Sequence, residues 1–180
     1  MVQSVPVNLD PPKELAYIAM RVIAHWAYIE FLLQMTAYEL LDLDAKKGRV
    51  AVRDPRPDQY HSMYIELLGL SNIEIGPDSS KFLKELSGNL RECRAARDLI
   101  AHGVWAKNPE TGADVIRNIS GKWHATQNSA AVNRRIIPEG EIVTAEILEH
   151  VRRCMHVLIE SLQAFRAQVG QSLSSHEKLP

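Results

Sequence analysis

The sequence predicts a mainly α-helical domain with a small antiparallel β appendage, and three observations lead there. Apolar residues fill 46% of the 180 positions while aromatics supply only 6%, a mixture dominated by Leu, Ile, Val and Ala that suits helix cores. Apolar residues recur at three- and four-residue spacing over long stretches, the period of an amphipathic helix. Strand-like patterning is confined to one short piece between turn residues. A chain of this length buries one sizeable core without staples, so residues 1–180 are expected to form a single domain.

Asp10 followed by Pro11 and Pro12 reads as a helix start, because Asp caps orphan amides and proline is tolerated in a first turn. The first helix is expected to run to about Leu43, with Leu15, Ile18, Val22, Trp26, Ile29, Leu33 and Leu40 on one apolar stripe. Tyr17, Met20, Ile23, Ala27, Phe31 and Tyr38 cover much of the remaining circumference. Such a helix is either central in a bundle or shared with a second subunit. Residues 44 to 59 are rich in Lys, Arg, Gly and Pro and read as a loop. A short helix over about Tyr60 to Leu70 follows, then a Gly76-Pro77-Asp78 turn and a third helix from near Ser80, ending at a Gly103 cap.

Turn signals at 108–112 and at Ser120-Gly121 frame Val115 to Ile119 and predict the β appendage over 105–126. Residues 127 to 141 read as irregular, with a short extended piece at Arg135 to Ile137. Thr144 is expected to cap a last helix whose Ile147, Val151, Met155, Leu158, Leu162 and Phe165 keep helical spacing to about Val169. Residues 1–9 and 170–180 read as flexible tails.

With 21 Lys and Arg against 22 Asp and Glu, the formal charge of -1 excludes a global field that gathers nucleic acid, so any RNA contact needs a local patch. Cys93 and Cys154 lie in apolar helical stretches and read as buried thiols of a reducing compartment. The start lacks a secretory pattern, and no window of 18 uninterrupted apolar residues occurs, so a cytoplasmic chain without a membrane span is expected.

The chemistry concentrates between Arg94 and Trp105. Leu83, Leu86, Leu90, Cys93, Arg97 and Ile100 are spaced 3, 4, 3, 4 and 3 apart and so share one helix face. A guanidinium on an apolar face cannot shed its proton, so something anionic should meet it: a carboxylate, a partner subunit or a phosphate. Asp98 and His102 are four apart, close enough for the carboxylate to orient the imidazole at the helix end. Arg97, Asp98 and His102 together are suited to binding a phosphate and moving a proton.

The run Arg97-Asp98-Leu99-Ile100-Ala101-His102, continued by Gly103-Val104-Trp105, resembles the R-x4-H signature of the HEPN superfamily, the higher eukaryotes and prokaryotes nucleotide-binding domains. The resemblance implies a bundle of four or five helices pairing into a homodimer, with the β appendage as an insertion between the last two long helices. In catalytic members it implies metal-independent RNA cleavage at a cleft between two subunits. There the RNA 2′-hydroxyl attacks its own phosphate, Arg97 stabilises the developing charge and His102 assists proton transfer. The same resemblance leaves open an inactive nucleotide-binding or protein-interaction module of a host-defence or mobile-element system, with a cognate antitoxin or sensor protein as partner.

Each residue also has a plainer reading. Arg97 pairs with a carboxylate on another helix, Glu30 being the obvious one, and His102 bonds the last carbonyls of its helix. Arg94 competes for the phosphate role. Trp105 and Trp123 pack across the appendage or stack on a base. His25 reads as a core histidine, and His150, Cys154 and His156 lack a second ligand pair for zinc, so no metal or other cofactor is expected. Lys46, Lys47, Arg49, Arg53, Arg56, Arg134 and Arg135 suit either a solvated loop or an RNA backbone.

Overall fold

The computed structural model describes residues 11–52, 56, 59–108, 111–117 and 143–176. In chain order they form α1 (Lys13–Leu40), α2 (Ala45–Ala51), α3 (Gln59–Leu70), α4 (Pro77–His102), β1 (Val104–Lys107), β2 (Asp114–Arg117) and α5 (Ala145–His176). The molecule is mostly helical with a two-stranded antiparallel sheet, as the apolar period predicts. Its backbone divides into two units, residues 1–26 with 92–155 and residues 27–91 with 156–180.

The buried side chains of the first unit include Leu15, Ile18, Val22 and Trp26 of α1, Cys93, Ala96 and Ile100 of α4, and Leu148, Val151 and Met155 of α5. Ala106, Val115 and Ile116 of the hairpin are buried with them. The hairpin pairs Val104 with Arg117 and Trp105 with Ile116. Its turn closes through the Asn108 amide on the Ala113 carbonyl at 2.8 Å, and Gly112 supplies a φ of 69° that a bulkier residue resists. The Val143 amide donates to the Asp114 carbonyl at 2.8 Å, tying the entry to α5 onto β2.

The second unit packs Ile29, Leu32 and Leu33 with Tyr64, Leu68, Leu86, Leu90, Leu162 and Phe165. Fully burying side chains of this size contributes roughly 1.5–3 kcal/mol each. The Tyr64 ring lies 5.6 Å from that of Phe165. Its hydroxyl, which would be costly to bury bare, donates to the Leu33 carbonyl at 2.7 Å.

Several boundaries differ from the sequence reading, each for a local reason. The basic stretch after Asp44 is not all loop. The Asp44 carboxylate accepts from the Lys46 and Lys47 amides at 2.9 and 2.8 Å and starts the seven-residue α2. Gly48, which reads as a breaker, is a packing glycine, since a Cβ there would come within 2.5 Å of the Tyr38 ring. Helix α1 stops at Leu40 rather than Leu43 because Asp42 turns left-handed (φ 51°), with the Leu43 amide on the Tyr38 carbonyl and the Asp42 amide on the Glu39 carbonyl. Asn72 closes α3 the same way.

Helix α4 begins three residues before Ser80, with Pro77 in its first turn and the Ser80 amide on the Gly76 carbonyl at 3.0 Å. Gly103 does not take the expected left-handed cap: among the described residues positive φ falls on Asp42, Asn72 and Gly112. Its amide instead donates to the Leu99 carbonyl at 2.8 Å, and the next residue enters β1. Thr144 caps α5 as expected, its Oγ1 accepting from the Ile147 amide at 3.2 Å. Leu148 rather than Ile147 is the buried residue of that first turn. The helix continues to His176, past the expected end at Val169, and there the Ser174 and Ser175 hydroxyls donate to the Gly170 and Gln171 carbonyls at 2.9 Å. Asp10, Arg53, Ser120, Gly121, Trp123, Arg134 and Arg135 lie outside the described residues.

Candidate functional site

Arg94, Arg97, Asp98 and His102 all belong to the last turns of α4, in the first unit. Cys93, Ala96 and Ile100 turn the buried face of that segment inward. Arg97 sits at the edge of that face, its side chain 28% exposed. The sequence expectation that something anionic meets Arg97 holds, and the anion is its chain neighbour: Arg97 Nη1 donates to Asp98 Oδ1 at 2.7 Å. The other Asp98 oxygen lies 3.5 Å from Arg94 Nε, one turn back. One carboxylate thus serves two guanidiniums, and the cluster keeps an excess positive charge.

That arrangement departs from the sequence reading in one respect. Asp98 faces its arginine neighbours rather than orienting His102, because the i to i−4 reach toward Arg94 and the adjacent Arg97 headgroup capture both carboxylate oxygens. His102 ends the helix with its residue exposed to solvent. Arg97 Nε is buried and, among the described residues, has no hydrogen-bond acceptor. A guanidinium offers five donors in a fixed fork, and this one is held by a single bond to a half-exposed carboxylate.

Arg97 and His102 are both helical, so five residues set their side chains about 140° apart around the axis. Their different exposures fit that angle. One phosphate reaches both groups through the long arginine side chain, or when a second copy supplies one of them. Trp105 stands half-buried on β1 opposite Ile116, immediately after the motif.

The other side chains singled out by sequence fall elsewhere. The ring of His25 bonds the Arg21 carbonyl of its own helix at 2.7 Å, a structural role. Lys46, Lys47 and Arg49 stand on α2 in the second unit. His150 Nε2 lies 3.7 Å from Cys154 Sγ, and His156 faces Glu160 at 3.4 Å. Among the described residues no group of three or more His, Cys, Asp or Glu gathers as a metal site. Burial pushes the Cys93 thiol up to about 12 and raises that of Cys154, so neither is an activated nucleophile.

Sequence reasoning also missed a concavity of about 480 Å3 in the second unit, floored by Leu68, Ile73 and Leu83 and rimmed by His61, Glu74 and Lys84. Its walls come from the turn between α3 and α4, where no periodic pattern marks them. Compared with protein-family models, with curated proteins and with solved structures, the chain matches none.

Proposed function

We propose that the chain is a metal-independent endoribonuclease of HEPN type, acting as a homodimer in the cytoplasm. The observation that carries this reading is the Arg94-Asp98-Arg97 cluster, in which the buried Nε of Arg97 has no acceptor, beside an exposed His102 at the same helix end. In the proposed reaction an RNA phosphate docks on the Arg97 fork with Arg94 at its flank. His102 takes the proton of the adjacent 2′-hydroxyl, whose oxygen attacks phosphorus while the 5′-oxygen leaves and takes a proton from solvent water. The charge that builds on the non-bridging oxygens is met by the guanidinium, which releases Asp98 in exchange. Trp105 lies next along the chain and offers a ring face to a base.

A second reading, a non-catalytic nucleotide-binding module with a partner protein, draws support from one specific feature: Asp98 holds the arginines and does not orient His102. The two separate in one experiment. Wild type, Arg97→Ala and His102→Ala are incubated with mixed single-stranded RNA in EDTA, with folding checked by circular dichroism. Nuclease action leaves 2′,3′-cyclic phosphate ends that both substitutions abolish. RNA that stays intact yet is bound by wild type and released by Arg97→Ala assigns the binding module instead.

A further inference from the structure

The concavity of about 480 Å3 in the second unit lies between α3 and the first turns of α4, all within residues 59–84. Leu68, Ile73 and Leu83 are buried at its floor, and Ile65, half-exposed, stands at its wall. Gly69 lines the same wall, and a Cβ there would meet nothing within 4 Å, whereas one at Gly48 would strike the Tyr38 ring. The space beside Gly69 is thus the cleft itself. Its size falls within the range of small-molecule sites, roughly 300–1,000 Å3, and so does its apolar lining with a few polar groups at the edge.

Charge divides the cleft along its length. Glu74 belongs to the turn that joins α3 to α4, while His61 and Lys84 stand at the other end, each roughly 10–14 Å from the turn end of its own helix at about 1.5 Å rise per residue. Among the described residues neither Glu74 nor Lys84 has an ion pair. Asn72 and Ser80 add neutral hydrogen-bonding groups near the turn. Beyond Asn72 and Glu74 a second, polar hollow of about 530 Å3 opens toward Gln168, Gln171 and Ser172 of α5. Water therefore reaches the carboxylate end, and the apolar floor lies on the α3–α4 side.

We propose that this cleft binds a short free peptide of apolar residues, its ammonium group at Glu74 and its carboxylate at Lys84 beside the His61 ring. The apolar floor calls for an apolar body, and opposite charges at the two ends call for a zwitterion. Three extended residues span ~10 Å at ~3.3 Å each, which matches the separation of the ends, and the peptide amides meet the Asn72 and Ser80 side chains. A fatty carboxylate would leave Glu74 facing hydrocarbon, and an alkylamine would leave Lys84 so. The inference is independent of the nuclease reading, since binding is measured without RNA.

Calorimetric titration of the full chain with the tripeptide Leu-Leu-Leu is expected to give saturable binding with a Kd below about 1 mM. Capping either terminus, by acetylation or by amidation, should weaken it about threefold, the scale of one exposed ion pair. Glu74→Gln should erase the cost of acetylation and keep that of amidation, and Lys84→Gln should do the opposite. Gly69→Leu, which fills the cleft from an open helix position, should cut binding by about tenfold or more with helical content unchanged. A wild type without saturable binding overturns the proposal, as does binding that Gly69→Leu leaves intact. Capped tripeptides that bind as tightly as the free one overturn the zwitterionic ligand. Octanoate that binds more tightly than the tripeptide overturns the peptide and assigns the cleft to apolar carboxylates.

Discussion

Arg97 and Arg166 are about equally exposed, 28 and 31%, yet they end in opposite conditions. Arg166 on α5 meets Glu39 of α1 in a fork-to-fork pair, Nε at 3.0 and 2.9 Å from the two carboxylate oxygens and Nη2 at 2.5 Å. Donating to the Glu39 carboxylate raises the Arg166 pKa further. Among the described residues, Arg97 bonds only the residue beside it in sequence and its Nε has no acceptor. A carboxylate arriving from another helix, 127 positions away, fixes a fold. One offered by the next residue costs little ordering and holds the charge only until a better anion comes. In the proposed reading, the difference between the two arginines separates a structural residue from a functional one.

The largest expected effect tests that separation directly. Arg97→Ala is expected to lower RNA cleavage by about 10²–10³-fold, the scale for losing one oxyanion donor, and to leave unfolding by urea nearly unchanged. Arg166→Ala should do the reverse, costing about 1–2 kcal/mol of stability because the Glu39 carboxylate loses its partner, with cleavage intact. If Arg97→Ala destabilises as Arg166→Ala does and cleavage persists, Arg97 is the structural residue and the site assignment fails.

How much of this was legible from sequence depends on how local the cause was. The α1 stripe from Leu15 to Leu40 is buried as its period predicts, since each of those residues is set by spacing alone. The Thr144 cap, the hairpin and the position of His102 at a helix end were equally readable. The α2 helix was not, because Gly48 looks the same in sequence whether it breaks a helix or makes room for the Tyr38 ring. The partners of Asp98 were hidden for a related reason: Arg94, Arg97 and His102 are all within one turn of it, and side-chain geometry chooses among them. Gly48→Ala measures the packing role. It is expected to cost about 1–3 kcal/mol by overpacking, whereas Gly88→Ala, which meets nothing within 4 Å, should add helix propensity and stabilise slightly.

A smaller effect compares buried titratable groups in the two units. Burial is the largest cause that pushes the Cys93 thiol from 9.0 up to about 12, and burial likewise raises Tyr64 well above the phenol value of 10.0. Both are acids whose folded pKa exceeds the unfolded one. The Cys93 contribution is therefore whole below pH 9 and is lost as pH rises from 9 through about 12, whereas that of Tyr64 is whole below pH 10 and is lost only above it. Urea midpoints at pH 8, 9 and 10 are expected to show a loss of about 1–1.5 kcal/mol by pH 10 from Cys93. Cys93→Ala starts lower, because it leaves a cavity, but should flatten that slope. Tyr64→Phe should change the profile only above pH 10. A slope at pH 9 to 10 that survives Cys93→Ala would mean another group carries it.

The smallest expected effect is the most discriminating for the site. Asp98 is 40% exposed on its side chain, so removing its charge should move stability by less than about 1 kcal/mol. In the proposed site the carboxylate competes with phosphate for Arg97 and Arg94. Asp98→Asn should then tighten binding of a non-cleavable 2′-deoxy oligonucleotide several-fold and steepen the dependence of log Kd on log salt by about one charge. A carboxylate that instead positions Arg97 for the ligand predicts the opposite, weaker binding with an unchanged salt slope. Tighter binding with slower cleavage would carry a further message: the exchange of Asp98 for phosphate on the Arg97 fork also times the release of the cyclic product, so the single half-exposed carboxylate sets turnover as well as affinity.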